Sequence, residues 1–244
     1  MNQPASAARR ATGSFRFERD MFASVGELLP ARIAVDPHRL VQLREPTVGN
    51  VIPDLLLGEW SEELRPPRRS FTFIEARVLA LLEQHDELME SEISQLLHLS
   101  APAAAKAFKR IEQSGLILTT RGGRISLDAG SFTRGLVVTA VELKLRRWRE
   151  ALDQAVSYLK FADRAYVVLD ADQATTDEAT VETFRTSRVG LLTLRANELT
   201  EVVSAQPQHC ISPQRVQAVQ KLCILLSASG LIRTNIGAPS LECV

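Results

Sequence analysis

The run Leu136-Val-Val-Thr-Ala-Val-Glu-Leu143 and the alternation that follows it leave this chain few ways to fold. Apart from Thr139, the run is apolar at both odd and even positions until Glu142, as a strand buried on both faces requires. Residues 146–162 then place Trp148, Leu152, Ala155 and Leu159 at helical spacing. Ala165-Tyr-Val-Val-Leu169 reads as a second strand, 175–186 as a helix and Val189-Gly-Leu-Leu-Thr-Leu194 as a third strand. Strand, helix, strand, helix, strand predicts parallel pairing under right-handed crossovers, hence an α/β fold with helices flanking the sheet. A last amphipathic helix is expected over residues 213–228.

Upstream, Met21, Phe22, Val25, Leu28 and Leu29 repeat with helical spacing, and Pro30 is expected to end that helix. Residues 40–43 alternate like a strand, and 45–50 are turn-rich. Residues 51–57 form a short apolar run holding one carboxylate, Asp54. Pro66-Pro67 interrupts the pattern and reads as a linker.

The middle of the chain follows another pattern. Helices are expected over 73–84, 89–97 and 101–113, the third with Ser100 as its cap and Pro102 in its first turn, and Gly115 closes it. Two strand-like runs, 116–120 and 124–127, flank Arg121-Gly-Gly. Three helices and a hairpin in this order predict a winged helix-turn-helix. The expected organisation is a flexible tail over 1–13, one discontinuous domain made of 14–65 and 135–244, and an inserted α+β winged-helix domain over 66–134.

The 29 Lys and Arg balance the 29 Asp and Glu, which taken alone speaks against a nucleic-acid partner. The distribution says otherwise. Residues 101–149 carry ten Lys and Arg against three Asp and Glu, the footprint of a polyanion site. Lys106, Lys109, Arg110, Arg121 and Arg124 of the winged helix, with Arg146, Arg147 and Arg149, are the candidate DNA-binding groups. The helix that should face DNA begins Ser100-Ala-Pro-Ala-Ala-Ala105, which offers few groups to base edges, so weak sequence specificity is expected.

Other function classes drop out. The first 14 residues lack an apolar run, and the longest apolar stretch, 222–232, is about half the roughly 20 residues a membrane span needs. Cys210, Cys223 and Cys243 fit neither a disulfide scaffold nor a zinc site. A cytoplasmic protein without membrane attachment is expected. His38, His85, His98 and His209 form no close pair, and there is no phosphate-binding glycine loop or Ser-His-Asp arrangement.

The chemistry is concentrated at Glu142-Leu-Lys144. Side chains alternate along a strand, so Glu142 and Lys144 share a face. Two ionised groups at the edge of a core must pair or bind something. Pro53-Asp54 lies on another short apolar run, and Glu18 stands early in the first helix. Gln154 and Tyr158, four residues apart on the following helix, share one face.

Pro53-Asp54 with Glu142-Leu-Lys144 resembles the PD-(D/E)xK, or restriction-endonuclease-like, nuclease superfamily. Phe17-Glu18-Arg19 resembles the leading element of archaeal Holliday-junction resolvases. Gln154-Ala-Val-Ser-Tyr158 resembles the Q-x-x-x-Y motif of phage-type exonucleases and recombination helicase-nucleases. The resemblance covers residues 14–58 and 136–194, and the order of its elements is more specific than any one motif. It implies a restriction-endonuclease-like mixed sheet and a Mg²⁺ or Mn²⁺ cofactor. Asp54, Glu142 and Glu18 would bind the metal, Lys144 would assist the attacking water, and Gln154 and Tyr158 would lie beside the site. Hard oxygen ligands suit Mg²⁺, which keeps several waters.

One departure stands out. Asp54 and Glu142 are 88 residues apart, where the family joins these strands by a short hairpin. The winged helix would be an insertion at the hairpin tip. Asp128 and Glu45 are the other carboxylates in question. The resemblance implies DNA phosphodiester hydrolysis in defence or repair, with DNA as partner and a homodimer or larger complex as possible assemblies. The competing function is a non-catalytic DNA-binding regulator or adaptor whose nuclease-like core serves dimerisation or ligand binding.

Overall fold

A computed structural model describes residues 15–62, 64, 66–67, 69–128, 135–174 and 176–229. The tail over 1–13, Arg134 and Cys243 lie outside the described residues.

The architecture is α/β: a mixed six-stranded sheet flanked by helices. A helix α1 (Met21–Ile33) precedes strands β1 (Leu40–Arg44) and β2 (Leu55–Trp60). After a middle segment come β6 (Leu136–Lys144), α5 (Trp148–Tyr158), β7 (Arg164–Asp170), α6 (Glu178–Thr186), β8 (Gly190–Arg195), β9 (Glu198–Val203) and α7 (Pro213–Ala228). The strand order is β1-β2-β6-β7-β8-β9. As expected, β6, β7 and β8 pair in parallel, joined through α5 and α6. The outer strands β1, β2 and β9 run antiparallel to their neighbours.

The alternation along β6 divides the core. Val141 and Leu143 face one layer with Leu55, Leu57, Val168 and Leu192, covered by Met21, Val25 and Leu29 of α1. Val138 and Ala140 face the other, with Leu56, Val167 and Leu191, covered by Leu152 and Ala155 of α5 and Val219 and Leu222 of α7. The packing of β7 on β8 is close. A Cβ at Gly190 would lie 2.2 Å from Tyr166 Cε1, so a larger residue there would displace the ring. A buried ion pair ties α7 to the sheet. Arg215 Nη1 lies 2.7 Å from Asp163 Oδ2, and Nη2 donates to the Leu136 carbonyl at 2.9 Å.

Several boundaries depart from the periodicity. Pro30 does not end α1, which runs three residues further to Ile33. The proline removes one amide donor near a helix end, where the following turn can still close through the Ala34 amide to the Pro30 carbonyl. Glu18 lies in a 3₁₀ turn, Glu18–Asp20, ahead of α1. Asp54 immediately precedes β2. The segment 178–186 forms α6, and β9 was not expected.

Between β2 and β6 lie α2 (Phe73–Gln84), β3 (Leu88–Met89), α3 (Glu90–Leu96), α4 (Ala101–Glu112), β4 (Ile117–Thr119) and β5 (Arg124–Leu127). The strands form a separate antiparallel sheet ordered β3-β5-β4. Gly115 follows α4 at φ 71°, the left-handed region that glycine tolerates. A capping box starts α2: the Glu75 amide donates to Thr72 Oγ1, and Glu75 Oε2 accepts from the Thr72 amide. Among the described residues, no helix is long and apolar enough to cross a membrane.

Candidate active site

The antiparallel register of β2 on β6 joins the two halves of the motif. Leu55 pairs with Val141, so Asp54 arrives beside Glu142 despite the intervening sequence. Asp54 Oδ2 accepts a hydrogen bond from the Leu143 amide at 2.7 Å.

Glu142 and Lys144 occupy the same face at the end of β6, as alternation requires. Both are buried, and each is paired. Lys144 Nζ lies 2.9 Å from Glu142 Oε1 and 3.5 Å from Glu18 Oε2. The Tyr158 hydroxyl donates to Glu142 Oε2 at 2.6 Å. It also lies 3.4 Å from the Ile52 carbonyl, but a phenol has one proton and the shorter contact holds it. Both oxygens of Glu142 are therefore held in place. Glu18 is the more exposed partner, its side chain 39% accessible against 3% for Glu142, so the cluster opens towards solvent on the Glu18 side.

The electrostatics follow from this crowding. Burial, and then the Glu142 charge beside it, push the Asp54 carboxyl up to about 6. For Lys144, burial opposes the charged form, but the hydrogen bond and charge of Glu142, with Glu18 and Asp54 behind it, outweigh burial and raise its pKa. Burial and the Glu142 contact also raise the Tyr158 hydroxyl, which stays a donor.

Five of the six expected central residues thus form one connected arrangement: Asp54, Glu142, Lys144, Glu18 and Tyr158. Gln154 lies on α5 one turn before Tyr158, and its Oε1 is buried without a hydrogen bond among the described residues. Glu45 is exposed, and its amide donates to the Asp54 carbonyl at 3.0 Å. The Asp128 amide donates to the Leu116 carbonyl in the small sheet.

Asp170 was missed by the motif reading. It ends β7, is fully buried, and accepts from the Phe15 amide and Gln173 Nε2 through Oδ2 and from the Asp172 amide through Oδ1. Gln173 Nε2 also donates to the Phe15 carbonyl. These bonds hold the segment that delivers Glu18 to Lys144. The available signal was a carboxylate closing an otherwise apolar strand, the pattern that singled out Glu142.

The expected DNA-binding groups divide. Arg110 Nε lies 3.0 Å from Glu75, Arg124 Nε lies 3.1 Å from Glu87, and Arg147 Nη1 lies 2.8 Å from Glu150. The Arg149 guanidinium stacks 4.4 Å from the Trp148 ring centroid. Lys106, Lys109, Arg121 and Arg146 are exposed.

No group of three or more His, Cys, Asp or Glu side chains among the described residues forms a ready metal cage. The donors at hand are the Asp54 and Glu142 carboxylates, with Glu18 across Lys144. A pair of hard oxygen ligands fits Mg²⁺, which is commonly held by one or two carboxylates and its own waters.

Comparison with protein-family models and with curated proteins found no match. A solved structure of a Silicibacter pomeroyi protein of unknown function is similar at 19% identity, covering 69% of this chain and 90% of that one, with a TM-score of 0.28.

Proposed function

We propose that the protein is a Mg²⁺- or Mn²⁺-dependent DNA nuclease. The observation that carries this reading is the convergence of Asp54, Glu142 and Lys144, far apart in sequence, through the β2–β6 register and the Leu143 amide. Asp54 and Glu142 would hold the metal, with Glu18 in support. The metal, when bound, supplies polarisation of the phosphate and acidification of a water. Tyr158 fixes the orientation of Glu142 through its second oxygen. The Lys144 ammonium offers positive charge where the phosphate gains negative charge.

The order α2-β3-α3-α4-β4-β5, with its sheet ordered β3-β5-β4, supports reading residues 66–134 as a winged helix. Lys106, Lys109 and Arg121 are exposed there and suit phosphate contact, which positions the protein without reading sequence. Arg110 and Arg124 act first as partners of Glu75 and Glu87.

The test is cleavage of single-stranded, duplex and branched DNA with Mg²⁺ or Mn²⁺, beside Glu142→Ala and Lys144→Ala. Metal-dependent cleavage by the wild type and its loss in both variants is expected. Equal DNA binding by all three with no cleavage of any substrate would favour a non-catalytic DNA-binding regulator.

A further inference from the structure

The segment leading into the candidate site carries a second feature that the nuclease motif does not use. Phe17 immediately precedes Glu18, and its side chain is left facing solvent, 42% exposed. The Arg16 guanidinium carbon lies 5.0 Å from the Phe17 ring centroid, and that of Arg19 lies 4.8 Å from it. Both arginines are exposed, and neither pairs with a carboxylate among the described residues. The neighbouring acids are otherwise engaged. Glu18 approaches Lys144, and Asp20 Oδ2 accepts the Phe17 amide at 2.9 Å.

The backbone here is not a loose tail that happens to expose a ring. Phe15 is buried, its amide bound by Asp170 and its carbonyl by Gln173. The Asp20 bond closes the next turn. The phenyl ring is therefore presented from a fixed position one residue from the carboxylate that reaches Lys144. Hydrophobic burial would favour hiding it, and among the described residues nothing packs over it completely.

We propose that Arg16, Phe17 and Arg19 form a platform that receives an unpaired nucleotide of a DNA strand at the rim of the candidate active site. The base stacks on the Phe17 ring, and the guanidinium groups take the flanking phosphates. Every base offers a π face, so such stacking tolerates any sequence. A cation–π contact at an exposed ring is weaker than base stacking combined with charge-assisted bonds to phosphate, so the arginines can yield the ring to a base. Bases inside a duplex are already stacked on their neighbours, which makes the platform selective for single strands, frayed ends and flaps. The inference takes its substrate class from the nuclease reading.

The experiment is fluorescence anisotropy of the full chain in EDTA, with a labelled oligothymidine of roughly 16 nucleotides, the upper range of single-strand site sizes, and a blunt duplex for comparison. Phe17→Ala should weaken oligothymidine binding by about five- to a hundredfold, the range for loss of one stacked base. Phe17→Trp should restore it, and Arg16→Ala/Arg19→Ala should weaken it with a shallower salt dependence. Duplex binding should change little in Phe17→Ala. Matching thermal midpoints check that the variants fold. Unchanged oligothymidine affinity in Phe17→Ala, or equal losses for single strand and duplex, overturns the proposal. Binding is read without metal or cleavage, so a protein that binds this way but never cuts ends the nuclease reading and leaves the platform standing.

Discussion

The Asp54 carboxylate accepts the Leu143 amide at 2.7 Å across 89 residues of sequence. This bond places one candidate metal ligand against the backbone between the other two residues of the motif. It also puts a partly buried carboxylate beside Glu142, which is why its proton affinity rises. The folded-state pKa of about 6 lies above the ordinary value of 3.8, so the folded protein binds the extra proton between them. Stability of the metal-free protein should therefore fall as pH rises from about 4 to about 6. Asp54→Asn should be more stable than wild type at neutral pH by about 1 kcal/mol, a figure reduced for partial exposure, and the gap should close below pH of about 4. Urea denaturation in EDTA across this range checks it. A gap that widens in acid would contradict the assignment.

Tyr158 meets the candidate ligands through its hydrogen bond to Glu142 Oε2. Removing its hydroxyl leaves Glu142 Oε2 without its donor and frees the carboxylate to rotate. Tyr158→Phe should weaken Mn²⁺ binding or activity by about 10- to 100-fold, the usual effect of losing a bond that orients a metal ligand. Calorimetric titration with Mn²⁺ separates loss of affinity from loss of turnover. Wild-type values for both would place Tyr158 outside the machinery.

Asp170 accepts the Phe15 amide of the segment before Glu18, the Asp172 amide of its own turn, and the Gln173 side-chain amide, which also donates to the Phe15 carbonyl. Asp170→Ala should leave buried donors unpaired and cost about 1–3 kcal/mol. The distinctive readout is local: hydrogen exchange at the Phe15 amide should accelerate more than exchange in β6 or β7. Uniform acceleration throughout the sheet would mean that Asp170 supports the core instead of the segment.

Glu75 joins the start of α2 to Arg69 and to Arg110 on α4. Burial opposes its charge, but the Arg69 hydrogen bond, the Thr72 amide and the two arginine charges prevail and lower its pKa below 4.5. Its contribution is present in full above 4.5 and lost as pH falls through the lower folded value. Glu75→Gln should cost about 1–3 kcal/mol at neutral pH, and the difference from wild type should shrink in acid. Thermal melts of both proteins at several pH values test this.

Much of this arrangement is legible in the residues themselves. The apolar run ending at Glu142 marks a central strand, because only burial on both faces suits such a sequence. Alternation places Glu142 and Lys144 on one face, and the strand-helix rhythm from Leu136 onward specifies the parallel order of β6, β7 and β8. The ends of α4 were legible too, with Ser100 at its N-cap position and Gly115 at positive φ after it, but the Ser100 side chain makes no capping bond among the described residues, and the Thr72 capping box of α2 emerged only in the structure. Pro30 was misread as a stop because a propensity rule ignores how much of the helix remains to be closed. Strand β9 was missed because Glu198-Leu-Thr-Glu-Val-Val203 is a polar edge strand that gains its pairing from β8.

Local covalent periodicity is enough to single out the candidate residues and the faces they share. Tertiary structure alone decided which of them meet. It paired β2 with β6 across the intervening elements, brought Tyr158 to Glu142 from the helix behind the sheet, and used Asp170 to hold the segment bearing Phe17 and Glu18. It also drew Arg110 and Arg124, charges that looked free for DNA, to Glu75 and Glu87. Contacts of this kind depend on register and packing between distant segments, whose free energy belongs to the whole fold and is written in no single stretch of residues.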